Sequence, residues 1–165
     1  MKRIHFLLLA LLLCVTSIAF GQSEALIDSG YDKYMDSDFV GAIDDFTRAL
    51  GFDSTNAETY FLRGVCYSSI NEKVKAVSDL NKAIELKADY YEAYYEKGFI
   101  FLSDQNAELA MAELDAAIKL NPDYAEAYVS RGTAKCMLED KAGANADWAK
   151  AKDLGVGYTE YMKCE

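Results

Sequence analysis

Few residues of this 165-residue chain are suited to chemistry. The single histidine, His5, lies in an apolar leader, so the rest of the chain has none. That removes the commonest general base and the commonest transition-metal ligand together. Beyond the leader stand three cysteines, Cys66, Cys136 and Cys164, with no Cys-x-x-Cys pair for redox work or zinc. No glycine-rich loop ends in Lys-Ser or Lys-Thr to cradle a phosphate, and no Gly-x-Ser-x-Gly elbow presents a nucleophile. Carboxylates abound, but adjacent acids on a helix, such as Asp44 and Asp45, point in different directions and read as a solvated acidic face. No catalytic residue, metal site or cofactor is expected, and the chain reads as a non-enzyme.

Lys2 and Arg3 precede an apolar run from Ile4 to Phe20, closed by the small residues of Ala19-Phe20-Gly21. This is the pattern of a secretory signal peptide over residues 1–21. An uncleaved anchor is the alternative, but the run is about as short as a spanning helix can be and no charge ends it. Leu13 before Cys14 argues against lipidation. The leader carries two of the 17 basic residues and none of the 27 acidic ones, so residues 22–165 hold 15 against 27, a net charge of −12. Such a chain is repelled by phosphate backbones and anionic lipid surfaces. Neither nucleic acid nor insertion into a membrane after cleavage is expected. Export would place the thiols where they pair, and three is odd, so at least one stays free or pairs between chains. Cys66 reads as a small buried hydrophobe. Cys136 and Cys164 are candidates for a disulfide whose geometry sequence does not fix.

The elements that must carry these residues repeat every 34 positions. Gly30, Gly64, Gly98 and Gly132 keep that spacing, as do Ala42, Ala76, Ala110 and Ala144, and Ala49, Ala83, Ala117 and Ala151. Units over approximately 23–56, 57–90, 91–124 and 125–158 follow, with a terminal helix over 158–165 to cover the last apolar face. Within a unit, apolar residues recur at three- and four-residue steps on both sides of a short polar break, predicting two antiparallel helices. Thr55 with Glu58, Asp89 with Glu92 and Asp123 with Glu126 form capping-box patterns at helix starts.

These columns resemble the tetratricopeptide repeat, whose pattern sets an aromatic, Leu-Gly, then Ala-x3-Phe and Ala in 34 residues. The aromatic position holds Leu26, Tyr60, Tyr94 and Tyr128, and the position after Ala-x3 holds Phe46, Leu80, Leu114 and Trp148. The leucine before each glycine is replaced by Ser29, Arg63, Lys97 and Arg131, and the closing proline survives only as Pro122. The resemblance implies an all-α solenoid of four helix-turn-helix repeats whose first helices line a concave groove. Its register assigns Ile27, Tyr31 and Tyr34, then Phe61 and Val65, then Tyr95, Phe99 and Leu102, then Val129 and Met137 to that groove. Glu24, Glu58, Glu92 and Glu126 fall along one edge. For three of them the capping boxes supply a plain reason of helix stability. Repeats that grip a carboxylate terminus use Lys and Asn at positions held here by Ile27, Tyr31, Phe61, Val65, Tyr95 and Phe99.

The expected function is therefore an adaptor that binds a protein or peptide in its groove, in the periplasm or cell envelope of a bacterium. An apolar, or basic and apolar, segment suits the groove. Two rivals remain: a structural subunit of an envelope assembly docking through its convex face or ends, and a thiol-redox accessory using Cys136 and Cys164.

Overall fold

The computed structural model describes residues 21–157 and 162–164. Residues 1–20, which hold nearly all of the expected leader, lie outside them. The described chain is helical, with α1 over residues 21–35, then α2 (Phe39–Phe52), α3 (Ala57–Ser69), α4 (Lys73–Leu86), α5 (Tyr91–Ser103), α6 (Ala107–Leu120), α7 (Ala125–Met137) and α8 (Lys141–Asp153), and no strand among the described residues. The expected all-α solenoid of paired helices is what forms. Of the expected terminal helix, 158–161 and 165 lie outside the described residues, and 162–164 have no regular secondary structure. The chain divides within α4 into two compact units, ending and beginning at Asp79 and Leu80. In the first, α2 packs on α3; in the second, α5 packs on α6, α6 on α7 and α7 on α8.

One turn design joins the first helix of every hairpin to the second. Ser37, Asn71, Gln105 and Glu139, again 34 apart, take φ between 57° and 64°. At that residue the chain reverses, and its N–H and the next N–H donate back to the last turn: Ser37 to Tyr34 and Asp38 to Lys33, Glu139 to Cys136 and Asp140 to Lys135. This left-handed cap satisfies helix-end carbonyls that otherwise lack donors. The next helix is then capped by a side chain: Asp38, Asn106 and Asp140 accept from the N–H groups of Gly41, Leu109 and Gly143. Glu139 holds a conformation that suits glycine, so Glu139→Gly is expected to stabilise the chain by about 1 kcal/mol in urea unfolding. Asn71→Gly is expected to gain less, because asparagine tolerates this region.

The expected capping boxes do not form. The N-caps of α3, α5 and α7 are Asn56, Tyr90 and Tyr124, each one residue later than expected, and neither tyrosine supplies a side-chain cap. The Thr55 hydroxyl donates instead to Asp53, and the Asp123 N–H donates to the Asn121 side chain, which folds these linkers into local turns. Glu58, Glu92 and Glu126 thus stand in the first turn without a box, where a carboxylate suits the helix dipole.

Small residues set the spacing inside each hairpin. A Cβ on Gly30 would lie 2.6 Å from the Phe46 ring, and one on Gly98 2.7 Å from Leu114 Cγ. Gly132 meets the Trp148 indole in the same way. Phe46 closes a core with Ala42 and Cys66 in the first unit. Leu114 lies in a larger core of the second unit, with Ala110, Ala117, Ile118, Ala127 and Tyr128. Cys66 is buried as expected, and burial pushes its thiol up to about 11.

The residues replacing the family's leucine explain themselves in three dimensions. Each faces an acid sixteen positions later on the second helix. The Ser29 hydroxyl donates to Asp45 at 2.7 Å. Arg63 grips Asp79 through Nε and Nη2 at 2.7 and 2.8 Å. Lys97 meets Glu113 at 2.8 Å. Arg131 grips Asp147 at 2.8 and 2.7 Å. Two of these cations also reach sixteen residues back, Arg63 to Thr47 and Arg131 to Asp115. Each long cation lies over the aromatic three residues before it: Arg63 over Tyr60, Lys97 over Tyr94, Arg131 over Tyr128. The first repeat carries Leu26 and Ser29 there, so cation and ring are replaced together. This overturns the solvated reading of Asp45. Asp44 is exposed, but Asp45 is only 3% exposed, held by Ser29, Lys33 and Arg48.

Candidate functional site

The first helices build two recesses, one within each unit. In the second unit, Tyr95, Phe99 and Leu102 of α5 and Val129 and Thr133 of α7 line a hollow of about 360 Å³, with Glu126 at its edge. Tyr95, Leu102 and Val129 are half-buried because their inner atoms pack against the core. Phe99 is 50% exposed and contributes mainly to the opening. Tyr95 is braced from behind: Tyr124 meets it edge-on at 5.0 Å, and Tyr91 meets Tyr124 at 5.1 Å. Burial, then the neighbouring Tyr95 and the carboxylates Glu126, Glu96 and Glu92, push the Tyr124 hydroxyl up. Burial alone pushes Glu96 up. The Tyr95 ring is therefore held by aromatic contacts before any partner arrives.

In the first unit, Ile27 and Tyr31 of α1 and Glu58 and Leu62 of α3 line a hollow of about 390 Å³, together with Asp28 and Asp32. Three carboxylates around one aromatic ring make this recess strongly anionic. Among the described residues no group of acids, cysteines or histidines is arranged to hold a metal ion.

The remaining expected groove residues are placed as follows. Tyr34 turns to Phe39, with ring centres 6.0 Å apart, and packs against the Ala42–Phe46–Cys66 core. Phe61 and Val65 are half-buried on α3, where Leu62 lines the hollow instead. Met137 is exposed at the end of α7 and lines a separate hollow beside Cys136. Of the acidic edge, Glu58 and Glu126 reach the recesses, Glu24 is exposed on α1, and Glu92 is half-buried beside Tyr91, whose hydroxyl it pushes up. Cys136 and Cys164 are joined in a disulfide, with Cα atoms 5.5 Å apart. Sequence reasoning missed Asp28, Asp32 and Tyr124. The four-residue steps Glu24, Asp28, Asp32 were a signal for the first two, and the 34-residue step from Tyr90 was a signal for the third.

Paired antiparallel helices, a 34-residue period and recesses built by first helices define an α-helical repeat protein without a catalytic constellation among its described residues. Residues 57–90 and 91–124 match the tetratricopeptide repeat. Over these two segments the chain carries tetratricopeptide repeats. No curated protein matches it. Among solved structures, MamA is similar at 27% identity, with a TM-score of 0.77 over 84% of this chain and 81% of that one. The first repeat domain of Spaghetti (RPAP3), bound to the HSP90 peptide SRMEEVD, is 23% identical, with a TM-score of 0.70 over 73% of this chain and 95% of that one. YrrB, described as having an unusual peptide-binding site, is 20% identical, with a TM-score of 0.69 over 81% of this chain and 69% of that one.

Proposed function

We propose that this protein is a non-catalytic adaptor, exported to the bacterial cell envelope, that captures a segment of another protein on the first-helix recesses. The carrying observation is the preformed apolar hollow of Tyr95, Phe99, Leu102 and Val129, rimmed by Glu126. Rigid aromatic surface gives contact area at low entropic cost, and recognition sites favour it. Two neighbours of the same fold, RPAP3 and YrrB, are described with peptides or a peptide-binding site, which supports the same use here. The acidic kind of peptide in the RPAP3 structure suits this chain poorly. Asp28, Asp32 and Glu58 would repel it, and the first-unit recess favours a basic and apolar segment instead. The basic-then-apolar leader ending at Gly21 supports export.

The test is affinity capture from the envelope fraction with residues 22–165 as bait. Phe99→Ser is expected to weaken capture at least tenfold, the effect of losing an exposed aromatic anchor at the opening, with helical circular dichroism unchanged. A partner retained equally by Phe99→Ser and Tyr31→Ser would sink the groove reading and favour docking through other faces. The mass of the native protein is expected to correspond to a chain starting at Gln22, and a mass that includes the leader would refute export by cleavage.

A further inference from the structure

We propose that the disulfide-held end of the chain, Met162–Cys164, is a built-in occupant of the last groove position, so that the surface offered to a partner stops at Thr133. This deepens the groove reading above and rests on it. Val129, Thr133, Cys136 and Met137 follow one another at helical spacing along a single face of α7. Thr133 lines the Tyr95–Phe99 hollow and also a second hollow of about 410 Å³, whose other walls are Cys136, Met137, Trp148, Met162 and Lys163. The two hollows therefore share one wall residue, Thr133. To the second, the chain's own end contributes Met162 and Lys163. Met162 is half-buried there, while Lys163 is exposed.

The chemistry of the position supplies the reason. Met137 leaves apolar surface exposed at the end of α7, beside the buried Trp148. A flexible methionine fills such an irregular surface well. The bond from Cys136 to Cys164 makes that contact intramolecular, so a competing segment meets an occupant at high effective concentration. Cys66, the other cysteine among the described residues, is buried and does not compete for the pairing.

The chain's single tryptophan, Trp148, reports the strap directly. Acrylamide quenching of its fluorescence is the measurement, on residues 22–165 with the disulfide intact. Three changes remove the strap in different ways. Cys164→Ser abolishes the bond. A dithiol delivers two electrons and two protons to the bond, leaving two thiols and closing itself into a cyclic disulfide. Met162→Ser keeps the bond and removes the apolar side chain from the hollow. Each is expected to raise the quenching constant at least twofold with helical circular dichroism unchanged, while Phe99→Ser leaves it unchanged. Unchanged quenching in Met162→Ser, and in reduced chain whose thiols are counted as free, overturns the proposal. Should Cys164→Ser not fold, those two arms decide. Failure of the groove reading shows separately, as capture that is indifferent to Phe99→Ser.

Discussion

Asp147→Ala is expected to destabilise the second unit by about 3 kcal/mol or more, the cost of breaking a buried ion pair by deleting one partner. Asp147 is the shared acceptor for Arg131 and Lys135, at 2.7 and 2.9 Å. Its side chain is 7% exposed, and those of the two cations are 18% and 19% exposed. Removing it leaves two largely buried positive charges with too few acceptors. The contrast within the same network makes the expectation sharp. Asp115 also accepts from Arg131 but is 55% exposed, so Asp115→Ala is expected to cost under about 1 kcal/mol. Asp44, 72% exposed and 3.8 Å from Arg48, should cost close to nothing. Urea unfolding of the three variants measures this order, and equal losses would refute the ladder of buried pairs.

The same network sets an acid limit. Burial works against ionisation of Asp147, yet the hydrogen bonds from Arg131 and Lys135 hold its carboxyl below the ordinary 3.8. Asp45 is lowered chiefly by the hydrogen bond from Lys33, against burial, with Ser29 adding to it. A carboxyl lowered on folding contributes stability above its ordinary value and loses it as pH falls toward its folded value. Stability is therefore expected to hold above about pH 4 and to fall below it, with a shallower fall in Asp147→Asn.

Loss of the Cys136–Cys164 bond is the second large effect. Opening a loop of 28 residues frees the unfolded chain by about 3.5 kcal/mol of closure entropy. Cys164→Ser, or reduction, is expected to lower the melting temperature by roughly 10 °C, at about 3 °C per kcal/mol for a chain of this size. Cys66→Ser separates this from a general thiol effect. Its cost comes from the core and is unchanged by a reductant, because Cys66 forms no disulfide. A melting point indifferent to reductant in the wild-type protein would refute a stabilising bond.

The period of 34, the helix pairs and the small-residue columns were legible before any coordinates, because glycine and alanine leave the same gap in every repeat. Gly98 against Leu114 and Gly30 against Phe46 are what those columns predict. The Tyr95–Phe99–Val129 face was also legible, since residues at helical spacing share a side of a helix whatever packs against it. Three things were decided only by the fold. Whether an acid is solvated depends on what stands sixteen residues away on another helix: Asp44 and Asp45 are neighbours in sequence, and only one meets Ser29 and Lys33. Two of the caps moved by one residue because Asp53 and Asn121, inside the linkers, captured the N–H groups of Thr55 and Asp123 that the box patterns needed. The end of the groove was fixed by a tail residue, Cys164, finding Cys136. Local pattern determines which face a residue takes on its own helix. What that face meets is set by distances between helices, which no single stretch of sequence contains.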